Sequence, residues 1–196
     1  MITTNHVWAA PAGDGARRWF VLSIREEKVG DASWFDPLFA DLESGGYSQF
    51  LHLLLDLNIG QWSPRQLEKT SELFEQQIMS ASWTKQWLLT SAEQDEFIGG
   101  PAPLIGGPPP TLPLGDYYQV DKLYRTYCDW MKSTGRTPDS LPHFRAELVS
   151  VLGGKTYRPR GGTFGPRIRQ RYFPDGPELR RKVLLSLNIP EEYTEG

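Results

Sequence analysis

Apolar residues recur along this chain mainly at the three- and four-residue spacing that is typical of helices. We place seven predicted helices at residues 33–43, 47–57, 63–80, 83–91, 119–132, 140–152 and 177–187. Two short apolar runs, Met1–Asn5 and Arg18–Ile24, predict strands, and alternation around Gly161–Gly162 predicts a β-hairpin at 155–173. The pattern therefore predicts a mainly α fold with short β elements. Trp83 and Trp87, four residues apart, are predicted to anchor the core of the fourth helix.

A proline- and glycine-rich run interrupts this pattern at residues 98–115. It contains six Pro and five Gly, which exclude a helix or a central strand. We therefore predict a linker at 98–115 between two modules, residues 1–97 and 116–196. The second module runs helix, helix, basic hairpin, helix, an order that is typical of a winged-helix domain.

Charge is distributed unequally between the two modules. Residues 1–116 carry 7 Lys or Arg against 15 Asp or Glu, a net of −8, whereas residues 117–196 carry 14 against 9, a net of +5. These sum to the net charge of −3 for the whole chain. A basic module beside an acidic one indicates different partners, and the basic module favours a polyanion. A basic surface that faces only water is the alternative.

The predicted hairpin concentrates the positive charge. Its basic residues, our candidate nucleic-acid contacts, are Lys155, Arg158, Arg160, Arg167, Arg169 and Arg171. Strand alternation places the last three arginines on one face, where guanidinium groups would neutralise phosphates and neighbouring aromatic rings would stack on bases. The alternative is an edge strand that its charges protect from aggregation. This pattern predicts no base-specific recognition.

Several protein classes are excluded by composition. No run approaches the roughly 18 apolar residues of a membrane-spanning helix. Cys128 is the only cysteine, so intramolecular disulfides and cysteine-rich zinc sites are excluded, and the three histidines lack metal-ligand spacing. We predict no metal site and no membrane partner. The first twelve residues lack the pattern of a signal peptide, which predicts a cytoplasmic protein.

Candidate chemistry near the N-terminus lies at the ends of the two predicted strands. Asn5 ends the first strand, and Arg17–Arg18 open the second after a glycine-containing loop. An amide in that position can orient a water or a phosphate, and a rigidly held arginine can bind a phosphate bidentately. From spacing alone, a turn asparagine and two solvated arginines are the simpler interpretation.

A family resemblance changes that balance. The run Ile2–Trp8, with Pro11–Ala12 and Arg17–Leu22, resembles the end of the ATPase core in superfamily 3 helicases. It is most similar to the phage and plasmid primase-helicases that are related to the poxvirus primase-helicase. Residues 31–90 and 118–148 resemble the segments that follow in these phage proteins.

The resemblance implies roles for the N-terminal residues. Asn5 would be the sensor residue that contacts the γ-phosphate of ATP or the attacking water. Arg18, together with Arg17, would be the arginine finger that one subunit of a ring presents to ATP on the next. Residues 1–97 would then be the end of the ATPase core and a helical subdomain, and 116–196 a winged-helix-like basic domain.

The chain departs from this family at the ATP site. It contains no GxxxxGK[ST] sequence, and no apolar strand with paired acids precedes Asn5. These elements hold the phosphates and Mg²⁺, so ATP and Mg²⁺ are implied for the intact helicase and no cofactor for this chain alone. We expect the C-terminal part of a helicase, from a truncated gene or a split subunit, that does not hydrolyse ATP by itself.

The expected partners are DNA, an upstream ATPase or primase portion, and neighbouring subunits of a homo-oligomeric ring. Two alternatives from other classes remain open. One is a stand-alone winged-helix regulator that binds DNA, and the other is a non-enzymatic module whose basic hairpin binds an acidic protein.

Overall fold

The computed structural model describes residues 2–13, 16, 19–63, 67–100, 112–154 and 170–193. This part of the chain is mainly helical, as predicted. Its helices are α1 (Ala32–Asp41), α2 (Tyr47–Asp56), α3 (Ser71–Met79), α4 (Trp83–Gln94), α5 (Val120–Ser133), α6 (Leu141–Leu152) and α7 (Gly176–Ser186). A π-helical turn, Leu42–Gly46, joins α1 to α2, and a 3₁₀ turn, Glu191–Tyr193, follows α7.

Polar side chains cap the first turn of several of these helices. Ser82, Ser140 and Asp175 each accept a hydrogen bond from the backbone N–H three residues later, at α4, α6 and α7. Asp31 caps α1 in the same way. Because the cap accepts one of the N–H groups that the first turn leaves unpaired, each of these helices has a defined start.

The third predicted helix is shorter than expected. We predicted it from residue 63 to about 80, but α3 begins only at Ser71. The Thr70 hydroxyl accepts a hydrogen bond from the N–H of Leu73 and donates one to the carbonyl of Val21. Thr70 therefore caps α3, and the described residues before it are not helical.

The two predicted N-terminal strands are absent from the described residues. Residues 2–5 and 19–24 form no ladder, although their sequences are apolar and β-branched. A strand is stabilised by the neighbours that it pairs with, and the only sheet in the described residues is a ribbon of two other strands. Ile2, Leu22 and Ile24 are accordingly exposed, at 67%, 65% and 84%.

The ribbon consists of β1 (Tyr117–Tyr118) and β2 (Arg171–Tyr172), which pair antiparallel. Tyr117 lies opposite Tyr172, and Tyr118 lies opposite Arg171. Residues 155–169 of the predicted hairpin lie outside the described part of the chain. Its C-terminal end therefore pairs with a strand that precedes α5, an arrangement that the sequence analysis did not predict.

The chain divides into two compact units. Unit 1 contains Met1–Ala16 and Phe74–Gly196, and unit 2 contains Arg17–Leu73. This division differs from the predicted boundary at 98–115. The described ends of that stretch belong to unit 1, because the Phe97 N–H donates to the Leu112 carbonyl at 2.8 Å, and Leu112 is buried.

Unit 1 is built around an aromatic core. Trp87 of α4 is fully buried, as predicted, and stacks on Phe97 with ring centroids 5.2 Å apart. Tyr127 of α5 stacks on Phe144 of α6 at 4.9 Å, and Phe173 meets Phe97 edge-on at 5.0 Å. The core thus joins α4, α5, α6 and the end of the ribbon.

Helices α4 and α7 approach each other closely at Gly176. A Cβ at this position would collide with the carbonyl oxygen of Ala92, so only glycine fits. Asp95, which ends α4 with a φ of 55°, accepts a hydrogen bond from the Gly176 N–H at 2.9 Å. One carboxylate therefore joins the end of α4 to the start of α7.

Unit 2 has a different character. Neither α1, the π-helical turn nor α2 contains a buried residue. The turn bends at Gly45, which has a φ of 122°, so the glycine pair kinks the helical run. In the described part of the chain, no helix combines the length and the apolar character needed to cross a bilayer.

Candidate nucleic-acid interface

The segment between Asn5 and Arg17 is held by side chains of α3. The Gln76 Nε2 donates to the carbonyl of Val7 at 2.7 Å, and its Oε1 accepts from the N–H groups of Ala9 and Ala10 at 2.7 and 3.3 Å. The oxygen and the nitrogen of this buried side-chain amide thus both bind the backbone of residues 7–10, which is not paired in a sheet.

Two further side chains extend this contact. Gln77 Nε2 donates to the Gly13 carbonyl at 3.2 Å, and the Ser80 hydroxyl accepts from the Ala12 N–H at 3.1 Å and from the Trp8 indole at 3.0 Å. We call Gln76, Gln77 and Ser80 the amide clamp. It fixes residues 7–13 in unit 1, where Ala10 and Ala12 are buried.

The predicted sensor and finger residues are only partly described. Asn5 lies at the surface, in an exposed bend just before the clamped segment. Arg17 and Arg18 lie outside the described residues. The structure therefore shows how residues 7–13, which lie between them in the sequence, are anchored.

Helix α6 presents a mixed face to solvent. It buries Phe144, Leu148 and Val151. Its exposed residues are Pro142, His143, Arg145, Ala146, Val149 and Ser150. Arg145 Nη2 contacts the Asp121 carboxylate of α5 at 2.6 Å, so the one arginine of α6 is already paired. This exposed face mixes polar and apolar residues and is not strongly basic.

The predicted basic contacts are largely outside the described part of the chain. Lys155, Arg158, Arg160, Arg167 and Arg169 all lie there. Arg171 is the one candidate contact in the described part of the chain. It is buried, with 4% exposure, so the prediction that it lies on an exposed basic face was wrong. In β2 the alternation turns Arg171 inward and Tyr172 outward.

The buried guanidinium has a defined set of partners. Arg171 Nη1 donates to the carbonyl of Leu148 at 3.0 Å and to that of Gly153 at 2.6 Å. Both carbonyls belong to the C-terminal end of α6, where the helix dipole favours a cation. Burial lowers the pKa of Arg171 from its usual value. This arginine therefore holds protein backbone rather than a phosphate in this conformation.

The cations of α7 are paired with carboxylates. Arg180 contacts Glu93 at 3.7 Å, Arg181 contacts Glu178 at 2.7 Å and Glu191 at 2.6 Å, and Lys182 contacts Glu178 at 3.1 Å. The hydrogen bond from Arg181, with help from Lys182, lowers the pKa of Glu178 to about 2. These pairs offset much of the positive charge that α7 adds to the basic half.

The residues present do not fit a complete site for ATP and Mg²⁺. The sequence contains no GxxxxGK[ST]. In the described ranges, no group of three or more His, Cys, Asp or Glu side chains is placed to hold a metal ion. Cys128 is half-buried and packs against the core.

Sequence reasoning missed the amide clamp and the inward turn of Arg171. The clamp had one weak signal, two adjacent amides, Gln76 and Gln77, between the apolar Phe74 and Ile78 on a predicted helix. No signal in the sequence indicated that Arg171 is buried, because a strand pattern does not tell which of the two strand faces the core covers.

Comparison with known proteins gives no neighbour for this chain: no protein-family model, no curated protein and no solved structure matches it.

Proposed function

We propose that this chain is the C-terminal part of a phage-type replicative helicase or primase-helicase of superfamily 3, and that it contributes ring assembly, a trans arginine finger and a DNA contact. In this proposal Asn5 is the phosphate sensor, and Arg18 with Arg17 is the finger. ATP and Mg²⁺ are bound elsewhere in the assembly, because this chain lacks the residues for them.

The observation that carries the helicase proposal is the exposure of its N-terminal apolar segments. The runs Ile2–Trp8 and Arg17–Leu22 resemble the end of an ATPase core, yet Ile2, Val7 and Leu22 are each at least 65% exposed. Such side chains are typical of strands whose neighbours belong to another part of an assembly. The amide clamp supports the same proposal, since it fixes the chain between the sensor and the finger.

The DNA-contact proposal is supported by the topology of unit 1. Helix α4 is followed by β1, α5, α6 and β2, and β1 pairs with β2 on either side of the two helices. This order is similar to that of a winged-helix domain, and in helix-turn-helix proteins the second helix enters the major groove. In this proposal α6 is the helix that enters the major groove.

Ring assembly is supported by the apolar surface of unit 2. Between residues 34 and 62, twelve large apolar side chains are 40–76% exposed: Trp34, Leu38, Phe39, Tyr47, Phe50, Leu51, Leu53, Leu54, Leu55, Leu57, Ile59 and Trp62. Apolar side chains this numerous and this exposed are more typical of a protein interface than of a surface that faces only water. Helix α2 has its polar residues Ser48, Gln49, His52 and Asp56 on one side. We expect its apolar face to be covered in the working protein.

A stand-alone DNA-binding regulator is the second candidate. It is favoured by the self-contained core of unit 1, which needs no partner to bury its aromatic residues. This candidate leaves the exposed surface of unit 2 without a role. A regulator would bind duplex DNA in preference to a fork, and it would not depend on Arg18.

A fluorescence-anisotropy titration tests the proposal, with forked, single-stranded and duplex DNA at two salt concentrations. We expect micromolar or tighter binding that weakens steeply with salt, because Lys and Arg displace counterions from phosphates. Arg18→Ala should leave this binding unchanged and abolish any stimulation of a companion ATPase that carries GxxxxGK[ST]. No binding at low salt would exclude the DNA contact, and strict duplex preference would favour the regulator.

A further inference from the structure

Helix α5 has one buried face and one charged face. It buries a residue at every fourth position from Leu123 to Met131. Lys122, Arg125 and Lys132 are exposed. Because successive helical residues are rotated by about 100°, these three cations lie within an arc of about 80°, opposite the buried residues. We call Lys122, Arg125 and Lys132 the basic row.

The basic row differs from α7 in how its charges are paired. In the part of the chain that the structure describes, no cation of the row forms an ion pair with a carboxylate. The Lys122 ammonium lies 5.8 Å from the centroid of the Tyr118 ring. Arg180, Arg181 and Lys182 of α7, in contrast, each contact a glutamate. The charge of the basic row is therefore available to an anionic ligand.

Two carboxylates lie on the same side of α5, and one of them is neutralised. Asp121 and Asp129 are both exposed there. Asp121 accepts a hydrogen bond from Arg145 Nη2 of α6 at 2.6 Å. The two side chains of this pair are 63% and 52% exposed, so water screens their attraction and the pair is weak. With Arg145, the basic row sets four cations against these two carboxylates.

We infer that the basic row, together with Arg145, is the surface of unit 1 that contacts DNA phosphates. This inference rests on the proposed DNA contact and names the residues that make it. In helix-turn-helix proteins the first helix crosses the DNA backbone while the second enters the groove, and α5 precedes α6 in that order. The row is about 15 Å long, because a helix rises about 1.5 Å per residue, so it spans roughly four phosphates of one strand.

The composition of this face favours DNA over an acidic protein. Within α5, which the structure describes in full, no exposed side chain is a large apolar one. A protein interface has an apolar centre from which charged residues are depleted, whereas contact with phosphates needs only cations. The basic row therefore matches a nucleic-acid backbone better than it matches the surface of a protein.

Fluorescence anisotropy of the full chain with a labelled duplex, over a range of salt concentrations, tests the inference. We expect Arg125→Ala and Lys132→Ala each to reduce the slope of log affinity against log salt by about one, because each phosphate contact releases about one counterion. Lys182→Ala is the control and should leave the slope unchanged, since its ammonium already contacts Glu178 at 3.1 Å. Circular dichroism of each variant checks that the fold is retained.

Asp121→Asn tests the part assigned to Arg145. This substitution releases Arg145 and removes a charge that repels phosphate, so we expect DNA binding to become about 2- to 5-fold tighter. Unchanged or weaker binding would overturn the role of Arg145, because the ion pair would then only hold α5 and α6 together.

The same titrations separate this inference from the proposed function. If the wild-type chain binds the duplex and both alanine variants keep its salt slope, the inference is overturned and the DNA contact lies on other residues. If the wild-type chain binds no DNA, the proposed contact and the inference fail together. Polyglutamate that competes as well as unlabelled duplex of equal charge would also overturn the inference, since the basic row would then fit an acidic protein.

Discussion

Unit 1 buries large aromatic side chains, whereas the helices of unit 2 leave theirs exposed. In unit 1, rings such as Trp87, Tyr127 and Phe144 are fully buried and touch one another. In unit 2, the equally large Phe50 and Trp62 are 55% and 58% exposed. The two units differ in what covers their apolar side chains. Several helices of unit 1 pack on each other, whereas α1 and α2 follow one another in a single kinked run.

This contrast indicates which part of the chain is complete. A domain is stable when the apolar area that it buries offsets the entropy of ordering its residues. Unit 1 meets this condition with its own residues. The helices of unit 2 do not, since they bury no side chain, and we expect them to be covered in the working protein.

The largest expected effect on stability comes from removing a tryptophan in unit 1, compared with removing one in unit 2. Trp87→Ala removes the centre of the unit 1 core and the hydrogen bond from its indole to the Ile98 carbonyl, so we expect a loss of about 3–5 kcal/mol in unfolding free energy. Trp62→Ala is the matched control in unit 2 and should change it by less than about 0.5 kcal/mol. Chemical denaturation measures both. Equal losses would mean that unit 2 also has a core.

The next effect tests whether the unit 2 surface is an interface. Phe50→Glu with Leu54→Glu places two charges on the apolar face of α2, and we expect a tenfold or greater weakening of self-association, since central apolar residues dominate interfaces. Light scattering after size exclusion, over a range of concentrations, measures this. Ser48→Glu with Gln49→Glu adds the same charge on polar positions as the control. A wild-type chain that is monomeric at all concentrations would contradict self-association.

A smaller effect tests the amide clamp. Gln76→Ala removes three hydrogen bonds to the backbone of residues 7–10, and we expect a cost of about 1–3 kcal/mol, because buried N–H and C=O groups lose their partners. The amides of Ala9, Ala10 and Ala12 should then exchange faster while the core amides stay protected. Gln49→Ala, at an exposed position of α2, is the control. Unchanged exchange at Ala9, Ala10 and Ala12 would exclude the clamp.

The smallest effect is electrostatic. Glu178 has a pKa of about 2 in the folded chain, against an ordinary value near 4.5. Its pairing therefore stabilises the fold above pH 4.5, and this contribution is lost as the pH falls toward 2. Since the side chain is more than a third exposed, solvent screening limits the effect to a few tenths of a kcal/mol.

Acid titrations of stability measure that contribution. Glu178→Gln should flatten the fall in unfolding free energy between pH 4.5 and 2, whereas Glu192→Gln, on the exposed 3₁₀ turn, should not. A wild-type slope that survives in Glu178→Gln would assign the acid response to other carboxylates.

Much of the helical framework could be predicted from sequence, because its signals are local. The caps Ser82, Ser140 and Asp175 and the spacing of Leu123, Tyr127 and Met131 depend on neighbouring residues alone. The predicted start of the third helix at residue 63 was wrong. Ser63–Pro64 has the sequence of a helix start, but Thr70 supplies the cap of α3.

Features that depend on distant residues were not predictable. The strands expected at residues 2–5 and 19–24 need neighbours that the described chain does not provide. The direction of Arg171 depends on which face of β2 the core covers. Composition likewise does not show that Leu112 and Leu114 pack into the core of unit 1.

Hydrogen exchange of the full chain at low and high concentration tests most directly whether unit 1 is complete and unit 2 is covered by a partner. In dilute solution we expect the amides of α4, α5 and α6 to be strongly protected and those of α1 and α2 to exchange close to the rate of an unfolded chain. At high concentration, α1 and α2 should become protected as copies associate. Strong protection of α2 in the dilute monomer would contradict the account, because unit 2 would then be stable without a partner.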